Sequence, residues 1–317
     1  MSLVLSSSKL ARSCAALMVL GVISSVCQAQ AAAQQAGDST VREEVLAASD
    51  GWPIHATYYE SAAGKESPVV ILLAGAEGLD MKDARNRRVW QATAVALQKG
   101  GFAVIAVDLR KNGDSIPEGV EANSPLLKMG LSDYPTMVAS DMEAINEFLL
   151  NEHQQEKLNI RKMGIVAVGS SAMVAAAFAV EDWAKKPYPD APSLADRTPR
   201  GQDVRALIMY SPNASVKGIS SNNVLRALKA IPVAINIVAS KDIKDDARNA
   251  DKIYKAVELR DEQYKDTRKQ TMAGGDITAE GFLEGRFAEP TNADILAFLT
   301  KYLKELDAPW ASRKSRL

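Results

Sequence analysis

Met163-Gly164-Ile165-Val166-Ala167-Val168-Gly169-Ser170-Ser171-Ala172-Met173 is an apolar run that stops at a glycine and two serines, then enters an alanine-rich segment reaching Ala179. A short apolar run bounded by turn residues fits a strand buried on both faces. Ser170 and Ser171 are residue types that cap helix N-termini through their hydroxyls. The stretch therefore predicts a strand, a tight turn and a helix in immediate succession.

Working outward, the same rhythm repeats. Apolar runs at Val69 to Leu73, Phe102 to Val107, Val204 to Tyr210 and Val233 to Ala239 alternate with longer amphipathic segments, and Lys269 to Ala273 supplies a last strand. That alternation predicts a mostly parallel sheet with helices on both faces. Trp90, Ala94 and Leu97 form one helical stripe, ended by Gly100-Gly101; Val138, Met142, Ile145 and Leu149 form a second; Ile295, Phe298, Leu299 and Tyr302 form a third. Such stripes read as core packing. Asp133 and Pro135 suit the start of the second helix. Upstream, Val41 to Ala48 and Ile54 to Tyr59 flank Asp50-Gly51, which predicts an antiparallel hairpin because glycine supplies the positive φ of a tight turn. Pro187, Pro189, Pro192 and Pro199 exclude a continuous helix over 183–203 and predict a surface excursion, placed as a lid over the site.

With 317 residues, 47% of them apolar and 24% charged, the chain can bury a large core. Lys9 and Arg12 precede an uncharged run from Cys14 to Val26 and the small-residue segment Cys27-Gln28-Ala29-Gln30-Ala31, the layout of a secretory leader over residues 1–31. The run is shorter than the roughly 20 residues of a bilayer-spanning helix, so no stable membrane span is expected after cleavage. Residues 32–40 read as a flexible segment, 41–306 as the folded domain and 307–317 as a solvated tail. Both cysteines fall in the leader, which removes disulfides and thiol chemistry from the mature protein. Losing Lys9 and Arg12 takes the net charge from -1 to -3, and nothing in that balance points to nucleic acid. No phosphate-cradling or dinucleotide glycine motif follows a strand, so no cofactor is expected. Two separated histidines, His55 and His153, make a transition-metal site unexpected.

Val69-Val-Ile-Leu-Leu-Ala-Gly-Ala-Glu-Gly78, then Arg88-Val-Trp90, then Phe102-Ala-Val-Ile-Ala-Val-Asp-Leu-Arg-Lys-Asn-Gly-Asp-Ser115 resembles the front half of an α/β-hydrolase. The chain also resembles exported bacterial proteins of that fold whose elbow serine is replaced. The resemblance implies an α/β-hydrolase fold and four catalytic items: a nucleophile on the strand-to-helix elbow, backbone N–H donors for an oxyanion, a carboxylate and a histidine.

Two elbow registers are open. Gly169-Ser170-Ser171-Ala172-Met173 would make Ser171 the nucleophile, whereas Ala167-Val168-Gly169-Ser170-Ser171 places Gly169 there. The elbow needs small neighbours, which favours the second register. The oxyanion turn falls at Gly75 and Ala76, with Glu77 bringing a negative charge that would oppose an oxyanion. Asp242, in Ser240-Lys241-Asp242, holds the family's acid position, with Asp245 and Asp246 read as solvated. The histidine should lie in the loop from Gly274 to Glu289, which has none; His55 and His153 read as surface or edge residues. A serine without a base is a weak nucleophile. The sequence therefore predicts an exported, non-catalytic protein that binds a small molecule or partner in its cleft. The alternative is an ester hydrolase using Ser171 with Asp242 and a non-standard base.

Overall fold

The structure, a computed structural model, describes residues 41–78, 86–121, 123–261 and 264–317. The expected leader and flexible segment lie outside the described residues. The compact folded unit is Glu43–Leu317.

Eight strands form one sheet: β1 (Val41–Ala47), β2 (Pro53–Tyr59), β3 (Pro68–Leu73), β4 (Ala103–Val107), β5 (Asn159–Val168), β6 (Val204–Tyr210), β7 (Ala234–Ser240) and β8 (Arg268–Ala273), in the order β1-β2-β4-β3-β5-β6-β7-β8. β2 runs antiparallel to β4, and every pairing from β4 to β8 is parallel. Between β1 and β2, Gly51 turns the chain at φ +82°, with its N–H donating to the Ala48 carbonyl at 2.8 Å. The strands begin and end within a few residues of the apolar runs in the sequence because two-face burial is what those runs encode.

The helices are α1 (Gln91–Lys99), α2 (Met142–Gln154), α3 (Ser171–Ala184), α4 (Ser221–Ala230), α5 (Lys244–Val257) and α6 (Gly285–Leu299). A short turn at Asp133–Thr136 and a π-helical turn at Met137–Asp141 lead into α2. Alternate residues of β3 divide between the two faces. Val69, Ile71 and Leu73 pack with α2, α3, α4 and α5, whereas Val70 and Leu72 pack with α1 and α6. All three sequence stripes point into these cores.

The stretch Asp108 to Ser115 is given over to buried ionic contacts. Arg87, 4% exposed, meets Asp108, 1% exposed, at 2.6 Å, and Arg110 meets the fully buried Asp141 at 2.6 Å. Arg110 also reaches Asp50 at 2.7 Å, tying the first hairpin to the start of α2. Burial drives the Asp108 and Asp141 carboxyls upward, while their arginines and backbone N–H groups pull them back down.

Two expectations are corrected here. The excursion 183–203 is not a lid over the strand C-termini. Because α3 starts beside the C-terminal end of β5, it finishes at the opposite edge of the sheet, where β6 begins at Val204. The chain there folds back on α3: the Asp203 and Val204 N–H groups donate to Asp182 Oδ2 at 2.7 and 3.1 Å. Nor is the tail simply solvated. Arg313 is buried, pairs with Asp203 and donates to the Gly201 carbonyl, while Arg316 lies 3.6 Å from Asp190. An arginine-rich tail reads as solvated until its carboxylate partners, more than a hundred residues upstream, are brought beside it.

Candidate functional site

The elbow forms as the second register requires. β5 ends at Val168, Gly169 turns at φ +58° and α3 begins at Ser171. Only glycine takes that backbone conformation without strain. The Gly169 N–H donates to the Tyr210 carbonyl at 3.0 Å, and its carbonyl accepts from the Asn213 N–H at 3.2 Å, which fixes the turn between β5 and β6.

The space beyond Gly169 is occupied. A Cβ built on it would lie 2.6 Å from Glu77 Oε1, closer than real Cβ contacts approach. The same Oε1 accepts the Ser170 N–H at 2.9 Å. In the elbow geometry, the N–H of the residue after the nucleophile is one of the two oxyanion donors. Glu77 therefore fills the space that a side chain at position 169 would take and engages the Ser170 N–H.

A backbone N–H of the turn after β3 is engaged the same way. The Gly75 N–H donates to Glu280 Oε1 at 2.8 Å. Glu280, 8% exposed, comes from the loop after β8, the loop in which the family resemblance places a histidine. A Cβ on Gly75 would fall within 3.0 Å of oxygens from both Glu77 and Glu280, so the turn must be glycine to let the carboxylates converge. Burial pushes the Glu77 carboxyl upward; the Ser170 hydrogen bonds oppose this and the nearby Glu280 charge adds to it. Ala76, beside them in the turn, is fully buried.

Glu280 is held by a chain of contacts. Asp246 accepts the Ser240 N–H at 2.7 Å and the Ser211 hydroxyl at 3.1 Å; the Ser211 oxygen in turn accepts the Ala279 N–H at 2.8 Å. Ala279 sits at φ +52°, immediately before Glu280. Asp246 is thus buried rather than solvated, and burial raises its carboxyl pKa.

Both serine hydroxyls are hydrogen-bonded within the fold. Ser171, the nucleophile of the other register, is fully buried; its hydroxyl donates to the Val168 carbonyl at 2.8 Å and accepts the Val168 N–H at 3.1 Å. It faces the end of β5 because the chain turns two residues earlier, at Gly169, than that register needs. The Ser170 hydroxyl accepts from Asn213 Nδ2 at 2.8 Å. Neither hydroxyl caps α3, which corrects the capping expectation. The Glu77 carboxylate receives the first free N–H instead.

Asp242 is exposed, and its Oδ2 accepts the Gly275 N–H at 2.6 Å, as a turn aspartate does. His153 is not a surface residue. It is fully buried at the C-terminal end of α2, with Nδ1 3.1 Å from the Leu158 carbonyl and Nε2 3.0 Å from that of Ala311. Burial lowers its pKa. His55 is half-buried in β2, where its N–H donates to the Ser115 hydroxyl at 2.8 Å. No group of three or more His, Cys, Asp or Glu arranged to hold a metal occurs among the described residues.

The arrangement thus joins Gly75, Glu77, Gly169, Ser170 and Glu280, and leaves Asp242 and both histidines out of it. Glu280 and Asn213 are the participants that sequence reasoning missed. The signal for Glu280 was its place in the post-β8 loop, where only a histidine was sought.

No protein-family model and no curated protein sequence matches the chain. Solved structures do. A dienelactone hydrolase from Anabaena variabilis aligns at a TM-score of 0.56 and 11% identity over 83% of this chain and 99% of its own. An esterase from Pyrococcus furiosus aligns at 0.56 and 12%, covering 83% and 91%. A hyperthermophilic esterase from Pyrobaculum calidifontis aligns at 0.54 and 11%, covering 83% of each chain. With the sheet order, the elbow between β5 and α3 and these alignments together, the chain has the α/β-hydrolase fold.

Proposed function

We propose that this chain is an exported, non-catalytic α/β-hydrolase-fold protein that binds a small molecule or a partner in the cleft above its strand ends. The observation that carries the reading is the pair of carboxylates on the oxyanion donors: Glu77 on the Ser170 N–H and Glu280 on the Gly75 N–H. Acyl transfer needs those N–H groups free to receive charge developing on the substrate oxygen, and a fixed negative charge at the same place raises the barrier. It also needs an activated nucleophile. Gly169 has no side chain, and the neighbouring hydroxyls are bound to Asn213 and to backbone.

The esterase alternative rests on fold likeness to esterases, and fold alone does not carry chemistry. The reading is tested by treating the mature protein with a fluorophosphonate probe and short-chain esters, alongside Ser170→Ala and Ser171→Ala. No labelling and no turnover above buffer are expected. Turnover abolished by either substitution would overturn the non-catalytic reading.

Export rests on the sequence of residues 1–31. Expression with the full leader, followed by N-terminal sequencing of the protein recovered outside the cytoplasm, tests it. Cleavage just after Ala29 or Ala31, giving a mature chain that starts at Gln30 or Ala32, is the expected result; an intact Met1 in the cytoplasmic fraction would contradict it.

A further inference from the structure

At the opposite edge of the sheet from the elbow, the N-terminal ends of β6, β7 and β8 enclose a cavity of about 500 Å³. That volume lies within the roughly 300–1,000 Å³ of small-molecule pockets. Ile231, Val233, Leu259 and Leu306 contribute an apolar wall, and three cations, Arg205, Lys229 and Arg268, complete the lining together with tyrosine and threonine groups. No carboxylate is among the lining residues that the structure describes.

Arg268 is 5% exposed, yet its guanidinium meets only neutral oxygens. It donates to the carbonyls of Val257 and Ile231, both at 3.2 Å, to the carbonyl of Val233, and to the Thr267 carbonyl and hydroxyl, both at 3.2 Å. These contacts satisfy its donors and supply no negative charge, so that among the described residues the guanidinium has no hydrogen-bonded carboxylate. A buried cation without a counter-charge is costly. Burial draws the Arg268 pKa down to about 10. Arg205 stands beside the same cavity, half-buried, with its guanidinium carbon 4.7 Å from the Trp183 ring centroid. Its Nε is buried and has no hydrogen-bond partner among the described residues. An unmet N–H of a charged group is costlier than a neutral one.

We propose that this cavity is a binding site for a carboxylate-bearing amphiphile, its head between Arg205, Lys229 and Arg268 and its hydrocarbon tail against Ile231, Val233 and Leu306. A carboxylate supplies negative charge to a lining that carries the three cations Arg205, Lys229 and Arg268, and a two-oxygen head matches a guanidinium edge. The tail removes apolar wall from water. The site is separate from the elbow, which lies a strand length away, roughly 20 Å at about 3.3 Å per residue.

The probe is dodecanoate below its micellar concentration, titrated calorimetrically into the mature protein, with dodecan-1-ol and dodecyltrimethylammonium as neutral and cationic chains of equal length. Dodecanoate is expected to bind one site at least roughly tenfold more tightly than either, the equivalent of one charge-assisted hydrogen bond. Arg205→Gln with Lys229→Gln should close most of that gap. Arg268 is left in place because it braces the carbonyls of Val257, Ile231 and Val233, so that its loss would disturb the fold itself. Ala230→Trp, on the lining where α4 ends, should block dodecanoate in a protein whose circular dichroism is unchanged. Equal affinity for the three chains, or dodecanoate binding that survives both the double variant and Ala230→Trp, would overturn the proposal.

Discussion

Glu77 Oε1 accepts the Ser170 N–H at 2.9 Å while standing 2.6 Å from where a Cβ on Gly169 would be. One carboxylate therefore takes up both the space beside Gly169 and the N–H of Ser170. Glycine at position 169 and glutamate at position 77 are a coupled pair: each makes the other possible.

That coupling is measurable. Gly169→Ala forces an L-residue to φ +58° and into Glu77, so it should cost about 1–3 kcal/mol for the backbone alone, with the clash in addition. In the Glu77→Ala background the clash disappears and the cost should shrink toward the backbone part. Denaturant unfolding of the four proteins gives the coupling; strict additivity would show that the two side chains do not meet.

Glu77 also predicts a pH dependence. Its folded pKa is raised above 4.5, chiefly by burial, so the native state holds a proton more tightly than the unfolded chain does. Its contribution to stability is full below pH 4.5 and declines as pH rises through the folded value. Glu77→Gln mimics the protonated form and still offers an oxygen to Ser170. It should melt higher than the parent at about pH 7, with the difference vanishing near about pH 4; a lower melting temperature at neutral pH would contradict the assignment.

His153 runs the other way. Its folded pKa is depressed below 6.5 by burial, so the native state holds it neutral and loses stability as pH falls from 6.5 through the folded value. His153→Gln should flatten that acid limb. Because the neutral ring accepts the Ile160 N–H at Nδ1 and donates from Nε2 to the Ala311 carbonyl, the substitution should also cost about 1–3 kcal/mol in urea unfolding at about pH 8.

Asp108→Ala should be among the most damaging changes, because it removes the most deeply buried of the carboxylates on Arg87 and the acceptor of the Arg87 and Asp114 N–H groups at 2.6 and 3.1 Å. A loss of about 3–5 kcal/mol is expected from denaturant unfolding. A loss under about 1 kcal/mol would show that Glu43 and Asp114, both on Arg87, carry the charge without it.

Most of the sheet is legible in the sequence because strand segments buried on both faces are apolar: Val69 to Leu73 and Ala206 to Tyr210 could be little else. The elbow is legible too, since Ala167, Gly169 and Ser171 are the small residues a sharp turn tolerates. What local pattern does not reveal is long-range polar pairing. Glu280 meets Gly75 across 205 residues, and Arg313 meets Asp203 across 110. Spacing carries no trace of such partners. The direction of the 183–203 excursion follows from topology alone: a segment after a helix returns to the N-terminal edge of a parallel sheet, and the prolines mark a loop without marking an edge.

The carboxylate of Glu77 on the Ser170 N–H of the elbow is reported most directly by the Ser170 amide proton. In ¹⁵N-labelled protein this resonance should lie downfield at neutral pH and be protected from exchange. It should move upfield on acidification, with a midpoint above that of an ordinary glutamate, and lose that titration in Glu77→Gln. A Ser170 amide that exchanges freely and ignores both pH and Glu77→Gln would contradict the account.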